Sequence, residues 1–288
     1  MKPAPFDYAK PRSVEEVFDL LDRYGDDARL LAGGQSLLPS LNMRLSAPAI
    51  LIDITGQDAL RGIVIDDGVL RIGALTTFSE LKASAEVARA APMLSQAIPW
   101  IAHPAIRNRG TVGGSLAHAD PAAELPACML ALDAQLEIAA KSGRRRVPVA
   151  DFFCGLFETD LKPGEMLTAI EVPVIGANYR SGFSEFSRRS GDFAISGLAA
   201  HAQFDGEMLR DVRLAYCGVD TRPIRVRTAE RVLEGRPFDS AALAEAKTVL
   251  AKDLEPPDDL QATGQMKLHL SQVLAVRVLT AMKRADVR

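Results

Sequence analysis

The hydrophobic positions near the start of the chain recur with the spacing of one helix face. These positions are Val14, Val17, Phe18 and Leu21. Ser13 can cap such a helix, and Glu16, three residues later, completes the pattern of a capping box. Gly25 stands where the helix is expected to end. The pattern therefore predicts a first helix between Ser13 and Gly25.

Short apolar runs further on predict strands that alternate with turn signals. The runs "ARLLA" (28–32) and "AILIDI" (49–54) are typical of buried strands. Between them, Ser36 is expected to cap a short helix, "LLPSLNMRL". Asp67-Gly68 predicts a tight hairpin, and Thr77 with Glu80 predicts a second capping box.

The second half of the chain changes from mixed elements to strands followed by helices. A glycine-rich loop around 110–115 precedes a helix that Asp120 is expected to cap, with Pro121 in its first turn. Three strands then follow, "SGFSEFSRR", "ISGLAAHAQFD" and "MLRDVRLAYCGV". Helices at 239–254 and 265–285 end the chain, and this order favours an α+β unit.

Composition narrows the class of protein without naming a function. Of 288 residues, 48% are hydrophobic and 25% are charged, which is typical of a globular protein. The formal net charge of −3 argues against nucleic acid as an obligatory partner. No apolar run approaches the length of a membrane span or a signal peptide, so a cytoplasmic protein is expected.

The cysteines do not form a recognisable site. Cys128, Cys154 and Cys217 stand at least 25 residues apart, in no spacing known for metal ligands or for iron–sulfur clusters. We therefore expect buried apolar thiols and no metal on this chain.

The clearest chemical signal is a pair of glycine loops. "AGGQS" (32–36) follows a predicted strand, and "TVGGS" (111–115) repeats its order of a small or β-branched residue, two glycines and a polar residue. Glycines let a ligand approach backbone N–H groups, which suit phosphate oxygens. One loop alone is equally consistent with a simple turn, but two loops could hold both phosphates of a pyrophosphate.

Other phosphate-binding patterns do not fit. With Gly33 as the first glycine, a dinucleotide fingerprint would need glycines at Gln35 and Leu38, and the chain contains no Walker motif. Asp53 is then a strand-end residue. Arg107 and Arg109 could add positive potential near the second loop, although solvated loop arginines are equally consistent.

Four segments together carry a family resemblance: "LLAGGQSLLPSLNMRL", "HPAIRNRGTVGGSLAHADPAAELPA", "FSRRSGDFAI" and "HLSQVLAVRVL". In this order they resemble the FAD-binding medium subunit of molybdenum hydroxylases, a group that includes the carbon monoxide dehydrogenase medium subunit and is similar to the flavin domain of xanthine dehydrogenase. The resemblance covers essentially the whole chain.

The resemblance implies an α+β fold in two domains. Residues 1–176 would form a FAD-binding domain of the PCMH/vanillyl-alcohol-oxidase type, with lobes at about 1–55 and 56–176. Residues 177–288 would form a smaller α+β domain with a three-stranded antiparallel sheet and helices. The family holds FAD noncovalently, which argues against covalent attachment through His103 or His118.

The resemblance also implies which residues contact FAD. The two loops would bind its pyrophosphate, Asp120 and Glu124 would contact ribityl or ribose hydroxyls, and the remaining positions would lie near the flavin ring, with core packing as the alternative for the apolar ones. The implied cofactor residues are Ala32, Gly33, Gly34, Gln35, Ser36, Ile101, Ala102, Thr111, Gly113, Gly114, Ser115, Asp120, Glu124, Leu167 and Phe193.

The implied function is electron transfer within a larger enzyme. A large subunit would oxidise the substrate at a molybdenum cofactor, a small subunit would carry 2Fe–2S clusters, and FAD on this chain would pass electrons to an acceptor. The complex is expected to be a dimer of heterotrimers. No catalytic residue is expected on this chain, so its residues select neither the substrate nor the acceptor.

Two alternatives remain open from the sequence. One is a stand-alone flavin reductase of the same fold, resembling UDP-N-acetylenolpyruvoylglucosamine reductase. The other is a noncatalytic assembly subunit in which the glycine loops are structural. A 4-hydroxybenzoyl-CoA reductase flavin subunit is disfavoured, because the chain lacks a cysteine-bearing insertion.

Overall fold

The computed structural model describes residues 2–284, and its first unit is built on a small parallel sheet. The strands are β1 (Asp7–Ala9), β2 (Ala28–Leu31) and β3 (Ile50–Asp53), in the order β1-β3-β2. Helix α1 (Val14–Tyr24) buries Val17, Phe18 and Leu21 against this sheet, and α2 (Leu37–Asn42) follows β2. The first glycine loop thus lies between β2 and α2.

The second unit is a five-stranded antiparallel sheet. Its strands are β4 (Ile63–Asp66), β5 (Val69–Gly73), β6 (Gln135–Ala140), β7 (Gly143–Pro148) and β10 (Met166–Pro173), in the order β4-β5-β10-β6-β7. A short hairpin of β8 (Phe153–Gly155) and β9 (Glu158–Thr159) precedes β10. The helices of this unit are α3 (Phe78–Ala83), α4 (Ala85–Ala90), α5 (Pro92–Ala97), α6 (Pro104–Arg107), α7 (Val112–His118), α8 (Glu124–Ala131) and α9 (Val149–Phe152).

The third unit is an antiparallel sheet backed by helices. Its strands run in sequence order: β11 (Tyr179–Phe186), β12 (Ser196–Asp205), β13 (Met208–Cys217) and β14 (Ile224–Arg225). The helices are α10 (Arg227–Leu233), α11 (Ser240–Val249) and α12 (Gly264–Arg284). The three long strands were expected from sequence, whereas the two-residue β14 was not.

The two faces of the third sheet belong to different cores. Leu198, Leu214 and Tyr216 pack with the helices of the same unit. On the other face, Phe183 and Cys217 join the core of the second unit, which includes residues of α5, α7 and α8. The third sheet is therefore packed between its own helices and the second unit, and this contact brings α8 against β12 and β13.

Most of the local signals in the sequence are confirmed, with differences at the helix ends. Ser13 accepts a hydrogen bond from the Glu16 amide, and Gly25 ends α1 with a φ of 50°. The Glu16 carboxylate accepts from the amide of Arg12, one residue before the position expected in a capping box. The hairpin at Asp67 and the full capping box at Thr77 are confirmed. The last predicted helix, 265–285, corresponds to α12, and only Ala285 at its predicted end lies outside the described residues.

Two predicted caps are wrong. Ser36 precedes α2 with helical rather than extended backbone angles, so its hydroxyl does not bond to the first turn. Helix α8 begins only at Glu124, with Ala123 as its cap residue. Asp120 instead accepts the Ala122 amide at 2.9 Å, which closes a turn before the helix.

Candidate cofactor site

The first glycine loop presents a row of unpaired donors. Among the hydrogen bonds of residues 2–284, none is donated by the backbone amides of residues 33 to 36. Gly34 adopts a φ of 72°, and the Gln35 side chain donates back to the Gly33 carbonyl at 3.0 Å. The loop is half-buried, so these amides are fixed in direction and open to a ligand.

The second glycine pair lies within the first turn of α7 rather than in an open loop. Thr111 caps this helix by accepting the Gly114 amide at 3.1 Å. The Val112 and Gly113 amides donate to the carbonyls of Thr76 and Ala74, at 2.9 and 2.8 Å. Its amides are therefore largely engaged within the protein, in contrast to the first loop.

Each glycine pair has one member that lies against another segment of the backbone, and Gly33 of the first loop lies against the segment just before the second glycine pair. A Cβ atom on Gly33 would collide with the carbonyl of Arg109, and one on Gly113 would come within 2.5 Å of the Ala74 side chain. The sequence interpretation assigned these glycines to ligand approach. The structure gives Gly33 and Gly113 a different physical reason, the close packing of one chain segment on another.

Hydroxyl and carboxylate groups complete the polar part of the site. In the described part of the chain, the side chains of Ser36 and Ser115 have no hydrogen-bond partner. Asp120 follows α7, where Ala119 ends the helix in a left-handed conformation. Only its Oδ1 is engaged by Ala122, so Oδ2 can accept a bond from a ligand hydroxyl.

The segment around Ile101 and Ala102 is held by an arginine. One guanidinium nitrogen of Arg107 donates to the carbonyls of both residues, each at 2.7 Å. Ala102 has a φ of 43°, and Ile101 is buried. Arg107 therefore fixes the backbone of this segment, whereas the sequence left a long-range potential and a solvated side chain equally open. Arg109 is exposed, and its carbonyl lies against Gly33.

Phe193 belongs to the loop between β11 and β12, which reaches this same segment. Gly191 in that loop lies against the Ala102 carbonyl and the His103 ring, where a Cβ would come within about 3 Å of both. The Phe193 side chain is 49% exposed, so it is not a core residue in this structure. The third unit thus contributes a loop that reaches the Ile101–Ala102 segment and carries an exposed aromatic side chain.

Leu167 is connected to the second glycine pair through the backbone. It is buried in β10 opposite Ile138, next to a bulge. The neighbouring Thr168 carbonyl accepts the Ala74 amide at 2.9 Å, and Ala74 in turn accepts from Gly113. Helix α7 therefore connects these groups: its first turn carries the second glycine pair, Ala74 joins it to the strand of Leu167, and its end leads into the Asp120 turn.

Glu124 differs from the other candidate residues because it is buried. Its side chain is 5% exposed, and burial, together with the charge of Asp120, raises the pKa of Glu124 to about 7. Glu185 of β11, which sequence reasoning missed, faces it, and the pKa of Glu185 is raised to about 8 by burial and by Glu124. Glu185 shares its side of the strand with buried Phe183, but the sequence alone does not distinguish this position from a solvated one.

The cysteines and histidines supply no further site. Cys128 and Cys217 are buried as expected, but Cys154 is exposed, because it lies in the short β8–β9 hairpin at the surface. His118 packs against the Phe157 ring. Within residues 2–284, no three acidic, histidine or cysteine side chains group as metal ligands, and no helix is long and apolar enough to cross a membrane.

These groups fit FAD by their chemistry. Unpaired amides and two free serine hydroxyls suit phosphate oxygens, and a carboxylate with a free oxygen suits sugar hydroxyls. An exposed aromatic side chain, on a loop that reaches a backbone segment held by an arginine, suits a flat ring. No group in this set is a nucleophile activated by a neighbouring base.

Two family models cover nearly all of the chain. Residues 4–175 match the FAD binding domain in molybdopterin dehydrogenase. Residues 181–282 match the CO dehydrogenase flavoprotein C-terminal domain.

Individual relatives and structures agree with these matches. The 6-hydroxypseudooxynicotine dehydrogenase complex subunit alpha of Paenarthrobacter nicotinovorans is 40% identical over 288 residues, covering 99% of this chain and 97% of that protein. A carbon monoxide dehydrogenase structure from Hydrogenophaga pseudoflava superposes with a TM-score of 0.96, at 36% identity and 99% coverage of both chains. Quinoline 2-oxidoreductase from Pseudomonas putida 86 gives a TM-score of 0.94, at 36% identity and full coverage of both chains.

Proposed function

Because this chain belongs to the FAD-binding subunits of the molybdenum hydroxylases, we propose that it receives electrons from 2Fe–2S clusters of a partner subunit and delivers them to an external acceptor. The observation that carries this proposal is the row of unpaired amides at residues 33 to 36, packed against Arg109 and Gly110 just before the second glycine pair. The chain is the flavoprotein subunit of an oxidoreductase.

The residues around α7 would hold FAD at several points. The amides of residues 33 to 36 and the hydroxyls of Ser36 and Ser115 would donate to the pyrophosphate. The Thr111 cap and the close contact of Gly33 with Arg109 would keep the loops in place. Asp120 would accept a hydrogen bond from a ribityl or ribose hydroxyl. Glu124, buried directly after the Asp120 turn, would support that turn.

The remaining residues would position the ring and limit access to it. Arg107 would hold Ile101 and Ala102 in one backbone conformation, Leu167 would support the ring from β10, and Phe193 would cover it from the third unit. Bound FAD supplies the redox chemistry, since it accepts and releases electrons. The protein side chains need only bind, orient and exclude water.

The domain division and the partners are part of the same proposal. We place the boundary near residue 176, so that residues 1–176 bind most of FAD and residues 177–288 close over it. The partners would be a large molybdenum-containing subunit and a small iron–sulfur subunit, two copies of each chain forming a dimer of heterotrimers. Substrate oxidation would occur on the large subunit.

Isolation of the affinity-tagged full chain from its native host tests the proposal. We expect a yellow complex of three polypeptides that contains FAD, molybdenum and iron in fixed ratio, and whose flavin is reduced when the substrate of the complex is added. The matched control is the tagged Gly33→Ala variant, which should bring down the partners with less flavin.

Other outcomes identify the alternatives. A yellow protein without partners, reduced directly by a nicotinamide nucleotide, would support the stand-alone reductase. A complex that is colourless in the flavin region would support a noncatalytic assembly subunit. Either result overturns the proposed electron-transfer role.

A further inference from the structure

A buried carboxylic acid lies where the third sheet meets α8. Glu185 is 3% exposed and stands opposite Gly197 of β12, which in turn stands opposite Cys217 of β13. A Cβ on Gly197 would lie 3.3 Å from the Glu185 Cβ and 2.6 Å from the Cys217 sulfur. The bare glycine therefore leaves the space that the Glu185 side chain occupies.

Glu185 has no hydrogen-bond partner. In the part of the chain that the structure describes, both of its carboxylate oxygens are buried without a donor. Buried polar groups are nearly always paired, and an ionised carboxylate without donors is far more costly to bury than a neutral one. The surroundings of Glu185 are thus suited to the protonated acid.

Among the described residues, no cation contributes to the pKa of Glu185. Helix α8 contributes Glu124 and Cys128, and β13 contributes Cys217; burial and the two carboxyl groups raise the pKa of both thiols. The Ser187 hydroxyl donates to the Arg189 carbonyl, and Ser187 is the smallest influence on the pKa of Glu185 and the one that lowers it. Ionisation of Glu185 would therefore place a charge beside Glu124 with nothing to compensate it.

The same end of α8 connects to the cofactor side. Glu124 is the first residue of α8 and directly follows the turn that carries Asp120. The Pro121 carbonyl in this turn accepts the Gly218 amide, from the end of β13, at 2.8 Å. A change in the fit between the third sheet and α8 would thus be transmitted to the Asp120 turn.

We propose that Glu185 is a positioning residue: its uncharged carboxyl group lets the third sheet close against α8 and so holds the Asp120–Glu124 segment in its cofactor-binding position. Loss of the proton to solvent puts two carboxylates face to face, loosens this joint and weakens FAD binding. The link to FAD rests on the proposed function, whereas the joint itself does not.

The sign of the pH dependence follows from the raised pKa of Glu185. The folded chain binds a proton that the unfolded chain, with an ordinary glutamate pKa of about 4.3, releases. The stabilisation is complete below that ordinary pKa and is lost as the pH rises through about 8. Glu124 contributes in the same direction up to about 7, whereas buried His201, whose pKa is lowered to about 4, contributes in the opposite direction below its ordinary value.

Unfolding of the FAD-free full chain tests the joint. Relative to Glu185→Gln, the wild-type folding constant should fall about tenfold per pH unit between about pH 5 and pH 7.5, as expected for one bound proton. Glu124→Gln is the second variant, and it should move the Glu185 transition to lower pH because it removes the repulsion. The control Glu230→Gln changes another buried carboxyl, which is paired with Arg225 at 2.8 Å. It should lower stability without removing the wild-type slope.

FAD titration of the same proteins, followed by flavin fluorescence, tests the link to the cofactor. We expect the wild-type dissociation constant to rise about tenfold between about pH 7 and pH 9, the effect of one unit of pKa difference between the free and bound states. In Glu185→Gln the constant should change little, whereas Glu230→Gln should follow the wild type.

The outcomes distinguish the role of Glu185 in stability from its effect on FAD binding. An unfolding slope that is the same in wild type and Glu185→Gln overturns the role of Glu185. A wild-type FAD affinity independent of pH overturns the positioning role even if the unfolding slope is as expected. Absence of FAD binding at every pH would instead refute the proposed cofactor site.

Discussion

Gly33 shows how a single residue serves two requirements. Its N–H is one of the unpaired amides of the first loop, and its missing side chain lets the loop touch Arg109 and Gly110 before the second glycine pair. Backbone φ is not positive at Gly33, so contact rather than conformation requires the glycine. Gly34 is the opposite case, with a φ of 72° and only side-chain atoms near its Cβ position.

We predict that Gly33→Ala separates the two loops. The new methyl group would collide with the Arg109 carbonyl, so we expect a loss of about 1–3 kcal/mol in unfolding free energy, typical of overpacking, and FAD affinity reduced at least tenfold. Chemical denaturation and FAD titration measure the two effects. Gly56→Ala is the control, because a Cβ there meets only the Lys10 side chain at 3.5 Å. Equal FAD affinity in both variants would contradict the prediction.

The glycine pairs and Glu185 differ in how far the sequence predicts them. The glycine pairs could be predicted from their order and repetition, and the structure brings them together. Glu185 could not be chosen, because a lone glutamate in the strand run "SGFSEFS" is typical of a solvated position until the packing of α8 on the same face of the sheet is known. Burial of this kind is a tertiary property.

Helix α7 is the element that organises the site. Its N-terminus carries the second glycine pair, its first turn is tied to residues 74–76, and its C-terminus leads into the Asp120 turn. The pattern "TVGGS" predicts a loop, because two glycines in succession disfavour a helix. Here Thr111 caps the helix and the Thr76 and Ala74 carbonyls accept the next two amides, so tertiary contacts override the local preference.

We predict that Thr111→Ala weakens both the fold and the cofactor site. The substitution removes the acceptor of the Gly114 amide, and loss of such a cap costs about 1 kcal/mol. Because Gly114 in the same turn lies near Ala32 of the first loop, FAD affinity should fall with stability. Thr111→Ser keeps the hydroxyl and is expected to retain both properties in denaturation and FAD titration. If the serine variant is as weak as the alanine variant, the cap is not the cause.

At the scale of the whole molecule, the third unit is attached by core packing and by ion pairs. Phe183, Ala199 and Cys217 belong to the core of the second unit. At the edge of this contact, Asp133 pairs with Arg213 at 2.9 Å and with Arg225 at 3.0 Å. The division into FAD-binding and C-terminal parts, which sequence expects near residue 176, therefore does not imply two independently stable pieces.

We predict that the FAD-free chain unfolds in a single transition. Trp100, the only tryptophan, lies in the second unit, so its fluorescence follows that unit, whereas far-UV circular dichroism follows all three sheets. Since the third sheet completes the core of the second unit, the two probes should give the same midpoint in denaturant.

Residues 1–176 made alone would expose the apolar side of α5 and α8, and we expect this fragment to aggregate. A fluorescence midpoint separate from the dichroism midpoint, or a soluble monomeric fragment, would show that the second unit is stable without the third sheet. In that case, ionisation of Glu185 could not act on the Asp120 turn through shared packing.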